Sequence, residues 1–391
     1  MKKMMTATAV FALMSGAAMA QEAKVGVLMG FTGPIESLTP GMAAGAELAM
    51  QEVSDSGALL DGMTLTPVRG DSTCVDAGAA TTAAEAILAE DVVAIVGAAC
   101  SGASTAVANN VAIPQGLVMI SPASTSPALT DLEDDGHFFR TAPSDARQGE
   151  ILANIVKDKG FENAAVTYTN NDYGKGFAES FEAAFEAAGG SIAISAAHED
   201  GKADYSAEVG ALAAAGADIL VVLGYIDQGG NGIIRNALDT GAFDTFAFGD
   251  GMIGDKMGDD FGDEIEGSFG TAAGSEGPEG ETFTTMLNEA GTEGTGPYRG
   301  ESYDAVALFA LAMQKAGEAT VTPEAIMEVA NAPGEQIGVG EIEKGLQLIA
   351  DGQDVDYQGV TAVEFDDNGD PAGSYLEYEM QGGALEVVGQ H

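Results

Sequence analysis

Short β-branched or apolar runs alternate with alanine-rich helical stretches along most of this chain, and that alternation restricts its folding options more than any other feature. KVGVLMG (24–30), TLTPVRG (64–70), VVAIVGA (92–98) and GLVMISP (116–122) read as strands. Between them GMAAGAELAMQEVSDS (41–56), AGAATTAAEAILAE (77–90) and STAVANNVAI (104–113) read as helices. Such alternation predicts a parallel sheet with helices on both faces. The rhythm restarts with AAVTYTN (164–170), SIAISAA (191–197), DILVVLGY (218–225) and TFAFGD (245–250), interleaved with GKGFAESFEAAFEAAG (174–189) and SAEVGALAAAG (206–216). Two α/β units in succession are expected. After Gly270 the pattern turns helical, through residues 279–291, 298–317 and 322–332, before a strand-like tail from Tyr357. Within the tail, VTAVEFDDNGDPAGSYLEYEM (360–380) reads as a hairpin turned at Asp-Asn-Gly-Asp, residues that tolerate positive φ. The same acidic stretch lacks the spaced ligands and closing glutamate of a calcium loop. No metal site is expected.

A chain of 391 residues exceeds what one hydrophobic core usually serves, which again points to two lobes. Its first twenty residues, MKKMMTATAVFALMSGAAMA, combine two lysines, a short apolar middle and a small-residue ending, the pattern of a secretory signal peptide cleaved before Gln21. The apolar run is short for a membrane anchor. With no cysteine after the cleavage point to carry a lipid, the expected product is a soluble periplasmic protein. Acidic residues number 61 against 15 basic ones, a formal net charge of −46, and losing Lys2 and Lys3 with the leader takes it to −48. That balance argues against nucleic acid and anionic membrane surfaces, both of which need basic patches. The acid is spread along the chain, as on a solvated surface suited to a salty medium.

Parallel α/β sheets bind ligands at the carboxyl ends of their strands, where helix amino termini present free N–H groups. Two loops occupy that position in the first unit: VGAACSGASTAVANN (96–110), with Ser101 after the third strand, and SPASTSP (121–127) after the fourth. Their hydroxyls and backbone donors suit a carboxylate, although each serine or threonine could equally be a simple N-cap. Enzymatic chemistry finds little support. AACSGAS has alanine at position 99 where a nucleophile elbow has glycine. The three histidines, His137, His198 and His391, form no cluster and have no metal-ligand spacing. A catalytic serine without a base is a poor nucleophile. No enzyme and no cofactor are expected.

GFTGPIESLTPGMAAGAELA, Cys74 with the Cys100-Ser101 loop, MISPASTSPALT, NNDYGKGFAESF, LGYIDQGGNGIIRNA and ESYDAVALFALA occur in that order. With them the chain resembles the periplasmic binding proteins of branched-chain amino acid ABC transporters, the leucine/isoleucine/valine type of the type I fold, from about Lys24 to the end. The resemblance implies an α/β fold with two lobes, each a mainly parallel sheet flanked by helices, joined by a three-stranded hinge. Residues 24–142 and 272–350 would form the first lobe, 143–271 and 351–391 the second.

It further implies a Cys74–Cys100 disulfide, which an even cysteine count in an exported protein fits independently. Ser101 and Thr125 would hold a ligand carboxylate, with Gly102 and Ser124 in the same loops. The Ala123 carbonyl and the Thr125 hydroxyl would take the ammonium, with Asp250 as its counter-charge. Tyr173 and Tyr225 would close over the ligand, and Leu38 would face its side chain. The implied function is delivery of a small aliphatic amino acid to a membrane permease by a monomeric binding protein without turnover. The same scaffold could instead bind a short amide, an aromatic acid or another small carboxylate, or present its ligand to a sensory partner.

Overall fold

Both α/β units form, each around its own sheet. The first sheet has five parallel strands in the order β2-β1-β3-β4-β5: β1 (Glu22–Met29), β2 (Thr64–Asp71), β3 (Val92–Gly97), β4 (Met119–Ser121) and β5 (Phe138–Arg140). The second contains β6 (Asn163–Thr169), β7 (Ser191–His198), β8 (Ile219–Leu223), β9 (Phe246–Phe248) and β10 (Phe269–Ala273), all parallel. A small parallel pair, β11 (Glu335–Gly338) and β12 (Val355–Gly359), lies outside both sheets. The antiparallel strands β13 (Tyr375–Gln381) and β14 (Ala384–Gln390) then complete the second sheet, in the order β14-β13-β10-β9-β8-β6-β7. These features come from a computed structural model that describes residues 21–274, 276–292 and 296–391. The leader expected over residues 1–20 lies outside the described residues. Among them, no helix is long and apolar enough to cross a membrane.

Burial follows the position of each strand. The central strand β8, ILVVL, is buried at every residue, as a strand covered by helices on both faces must be. The edge strand β7 alternates between exposed and half-buried residues along nearly its whole length. In the first lobe helix Arg299–Ala316 packs on helix Thr39–Ser56. The approach is so close that a Cβ on Gly45 would fall 2.1 Å from the Arg299 carbonyl oxygen, so only glycine permits it.

Three passes of the chain connect the sheets: after β5, after β10, and between β12 and β13. The third lies later than the expected boundary at residue 350. Residues 355–359 stay with the first lobe, because β12 pairs with β11 and the Tyr357 hydroxyl donates to Asp304 Oδ1 (2.8 Å) in helix Arg299–Ala316. The expected hairpin also moves. Its turn forms, with Asp366 N donating to the Asp370 carbonyl (3.0 Å), but one bridge, Phe365 to Pro371, is its whole ladder. Pro371 has no N–H to extend the pairing, and Asp370 is diverted to Arg140. The extended hairpin is β13–β14, turned at Gly382 and Gly383 with φ of 60° and 83°, as a two-residue turn requires.

Cys74 and Cys100 are joined in a disulfide, 26 residues apart, which ties the loop after β2 to the loop that carries Ser101. A closed loop of that size is worth about 3 kcal/mol in the chain-entropy model. Reduction should therefore lower the urea midpoint by a corresponding amount and expose two alkylatable thiols by intact mass. Unchanged stability after complete alkylation would count against this role.

Candidate ligand-binding cleft

The carboxyl ends of β1, β3 and β4 face those of β6, β8 and β9, and loops from both lobes meet between them. Ser101 opens the helical segment that runs, with a π-turn over Ala108–Ala112, to Gln115. Its hydroxyl accepts the Ser126 N–H (3.1 Å), so the loop after β3 and the loop after β4 are cross-linked. In the second lobe Asn171 caps helix Asp172–Ala187 by accepting the Gly174 N–H (3.0 Å), which fixes Tyr173 in its first turn. Asn171 also donates to the Tyr225 hydroxyl (3.2 Å). The Tyr173 and Tyr225 rings stack, with centroids 5.2 Å apart.

Asp250 starts the turn after β9 and is buried. Tyr173 of its own lobe donates to Oδ1 (2.9 Å), and Tyr298 of the opposite lobe donates to Oδ2 (2.8 Å). Burial raises the Asp250 pKa above the ordinary aspartate value, and the two tyrosine hydroxyls pull it back. Ile35, Leu38 and Met42 form an apolar wall beside it, and Ser101, Ala123, Tyr173, Tyr225, Asp250 and Tyr298 line the same cavity. No lysine, arginine or histidine is among the described residues that line it.

The lobes are closed on one another. Asp227 Oδ2 accepts both the backbone N–H and the hydroxyl of Ser37 (2.8 Å each), and Ser126 Oγ donates to the Asp172 carbonyl (3.0 Å). With these contacts made, the cavity between the lobes has a volume of about 20 Å³. That is room for about one water, so entry of an amino-acid-sized molecule requires the lobes to separate.

Of the residues singled out from sequence, Leu38, Ser101, Ala123, Tyr173, Tyr225 and Asp250 converge on the cavity. Thr125, Ser124 and Gly102 do not line it. The Thr125 hydroxyl donates to Asp145 Oδ2 (2.8 Å) at the start of helix Asp145–Asp158. Ser124 belongs to a buried cluster in which the hydroxyls of Ser104, Ser121 and Ser124 lie 3.1, 2.6 and 3.1 Å from the Ala98 carbonyl oxygen, with Ser104 and Ser124 also hydrogen-bonded to each other (2.7 Å). Its work is to hold the loop in place. Gly102 lies one residue into the helix, half-buried.

Sequence reasoning passed over Tyr298, Asp145, Ile35 and Met42. Gly-Pro-Tyr at 296–298, just ahead of a long helix, was a usable signal for Tyr298. Asp145 is completely buried, and burial together with the charge on Asp250 pushes its pKa well above the ordinary value. Two buried carboxyl groups therefore interact here, of which Asp250 lines the cavity. The buried cation near Asp145, Arg140, is committed to Asp370 through two 2.6 Å contacts. This arrangement favours a ligand that brings its own positive charge.

The sequence model of the receptor family ligand binding region matches residues 41–383. The chain belongs to that family. Its fold is that of a two-lobed type I periplasmic binding protein. The chemotactic signal transduction system substrate-binding protein BasB of Halobacterium salinarum is 28% identical to this binding protein over 402 residues, covering 94% of this chain and 89% of its own. A leucine-, isoleucine-, valine-, threonine- and alanine-binding protein of Pseudomonas aeruginosa is 26% identical over 337 residues, 85% of this chain and 88% of its own. Among solved structures, an ABC-transporter solute-binding protein of Rhodopseudomonas palustris HaA2 in complex with p-hydroxybenzoic acid matches with a TM-score of 0.77. At 16% identity, covering 95% of this chain and 97% of that one, it shares the fold of this binding protein. These relatives are substrate-binding proteins rather than enzymes.

Proposed function

We propose that this chain is the exported solute-binding component of an ABC importer, a monomer that captures a small aliphatic α-amino acid and delivers it to a membrane permease. Leucine, isoleucine and valine are the favoured ligands. One observation carries the reading. Asp250 is a buried carboxylate held between tyrosines of opposite lobes, in a cavity with no cation among the described residues that line it, so it suits the ammonium of a ligand that spans the cleft. The Ser101 hydroxyl and the backbone donors at the start of its helix suit the ligand carboxylate. Ile35, Leu38 and Met42 suit an aliphatic side chain. Because such a ligand touches both lobes only when they are together, binding favours the closed form that the permease would read. The amino-acid-binding relative in Pseudomonas aeruginosa supports this ligand class.

A sensory role, with the ligand presented to a signalling partner, is the second reading, and the chemotactic relative BasB favours it. An aromatic acid fits the cleft less well. It would supply a carboxylate but leave Asp250 without a counter-charge. A thermal-shift panel followed by calorimetry tests the ligand class, since ligand at 100-fold its Kd adds about 2.7 kcal/mol of stability. Leucine, isoleucine or valine should raise the Tm, and p-hydroxybenzoate and short amides should not. The reverse order would retire the amino-acid reading.

A further inference from the structure

Tyr298 also lines a second cavity, of about 530 Å³, within the usual size of small-molecule sites. Helix Pro278–Ala290 contributes Glu281, Phe283 and Leu287, the first turn of helix Arg299–Ala316 contributes Glu301, and β13 contributes Tyr378. The cavity sits at the hinge. The second pass borders it at Ala273 and Gly274, and the third at Val360 and Thr361. The first pass touches its floor where Thr141 Oγ1 donates to the Glu301 carbonyl (2.9 Å).

Glu301 is only 4% exposed, and among the described residues its carboxyl has no partner beyond its own backbone N–H. Charged and titratable neighbours offer no relief. Asp304 on the same helix adds negative charge, and Tyr378 and Glu276 lie on the β13 side. Glu281 stands on the facing helix wall. Arg299, the one cation among the described residues that line the cavity, makes no hydrogen bond to Glu301; its Nε is buried without a partner, and the charge it feels is that of Asp255. Burial without a counter-charge pushes Glu301 up to about 8.

The geometry points to a second binding site at the hinge for a small primary amine with an apolar body, its ammonium on the Glu301 carboxylate and its body against Phe283, Leu287 and Tyr378. An acid buried at the edge of an apolar cavity is satisfied by a cation that carries its own hydrophobic surface. The site is separate from the cleft, with Tyr298 as the shared wall.

Phenethylamine is a suitable probe, with 2-phenylethanol as its uncharged counterpart. Calorimetry on the mature protein should show the amine binding at least tenfold more tightly than the alcohol. Glu301→Gln should cut amine affinity at least tenfold, and Asp250→Asn should leave it within twofold. Wild-type affinity for the amine should rise about thirtyfold from pH 6.5 to pH 9, as Glu301 ionises while the amine stays protonated. This pH series keeps the test independent of whether Glu301→Gln folds. Equal binding of amine and alcohol, a flat pH profile, unchanged affinity in a folded Glu301→Gln, or loss of amine binding in Asp250→Asn would each overturn the site.

Discussion

Leucine should bind Asp250→Asn at least a hundred-fold more weakly than wild type, while 4-methylpentanoate, the same molecule without its amine, should bind the variant no more weakly than wild type. Breaking one side of a buried, hydrogen-bonded charge pair costs 2–5 kcal/mol, so a hundred-fold loss lies within that range. Asparagine keeps the size of the side chain and can still accept a tyrosine hydroxyl, so the change removes charge more than shape. The wild type should also lose leucine affinity on acidification. A carboxyl whose pKa is raised by burial is neutral below that pKa, and the neutral form cannot pair with an ammonium. Above the raised pKa the charge, and with it the affinity, is fully present. Asp250→Asn should lack this acid limb. Calorimetry with both ligands across pH measures it, and equal weakening of leucine and 4-methylpentanoate would show that Asp250 does not recognise the amine.

Arg140→Met should destabilise the fold by about 3–5 kcal/mol, the range for breaking a buried ion pair from one side. Arg140 is fully buried at the end of β5. Its Nε and Nη2 donate to the two oxygens of Asp370 (2.6 Å each), Nη2 also donates to Thr130 Oγ1 (2.8 Å), and Nη1 donates to the Ser126 carbonyl (2.9 Å). One side chain thereby links the start of the first hinge pass, the turn in the third, and the loop beside Ser101. Methionine fills much of the volume but leaves the Asp370 carboxylate without its counter-charge, held only by the Thr130 hydroxyl (2.6 Å) and with little access to water. In urea unfolding, Arg140→Met combined with Asp370→Leu should cost clearly less than the two single changes added together, because the pair is removed whole. Strict additivity would mean that the pair contributes no coupling.

Much of the architecture was legible because strand and helix signals are local. The run ILVVL needs a helix-covered strand wherever it lies, and Asn171 caps its helix through a contact three residues away. Periodicity and order therefore determined two parallel sheets and placed the Ser101 and Ala123 loops at the carboxyl ends of strands. The same local view misplaced the hairpin, because Asp366–Asp370 and Gly382–Gly383 are both good turns and only the Arg140–Asp370 pair and Pro371 decide which of them lies between long strands.

The division of labour inside the cleft was decided by tertiary structure. Thr125 and Ser124 have the chemistry of ligand-binding residues, but folding turns Thr125 to Asp145 and Ser124 to the Ala98 carbonyl. Tyr298 has no sequence feature that ties it to Asp250, 48 residues away, yet its hydroxyl reaches across the cleft to the carboxylate. A side chain's type sets which bonds it can make, and that much the sequence determines. Which partner it meets depends on how two lobes, joined by three separate passes of the chain, bring distant residues within 3 Å, and that exists only in the folded molecule.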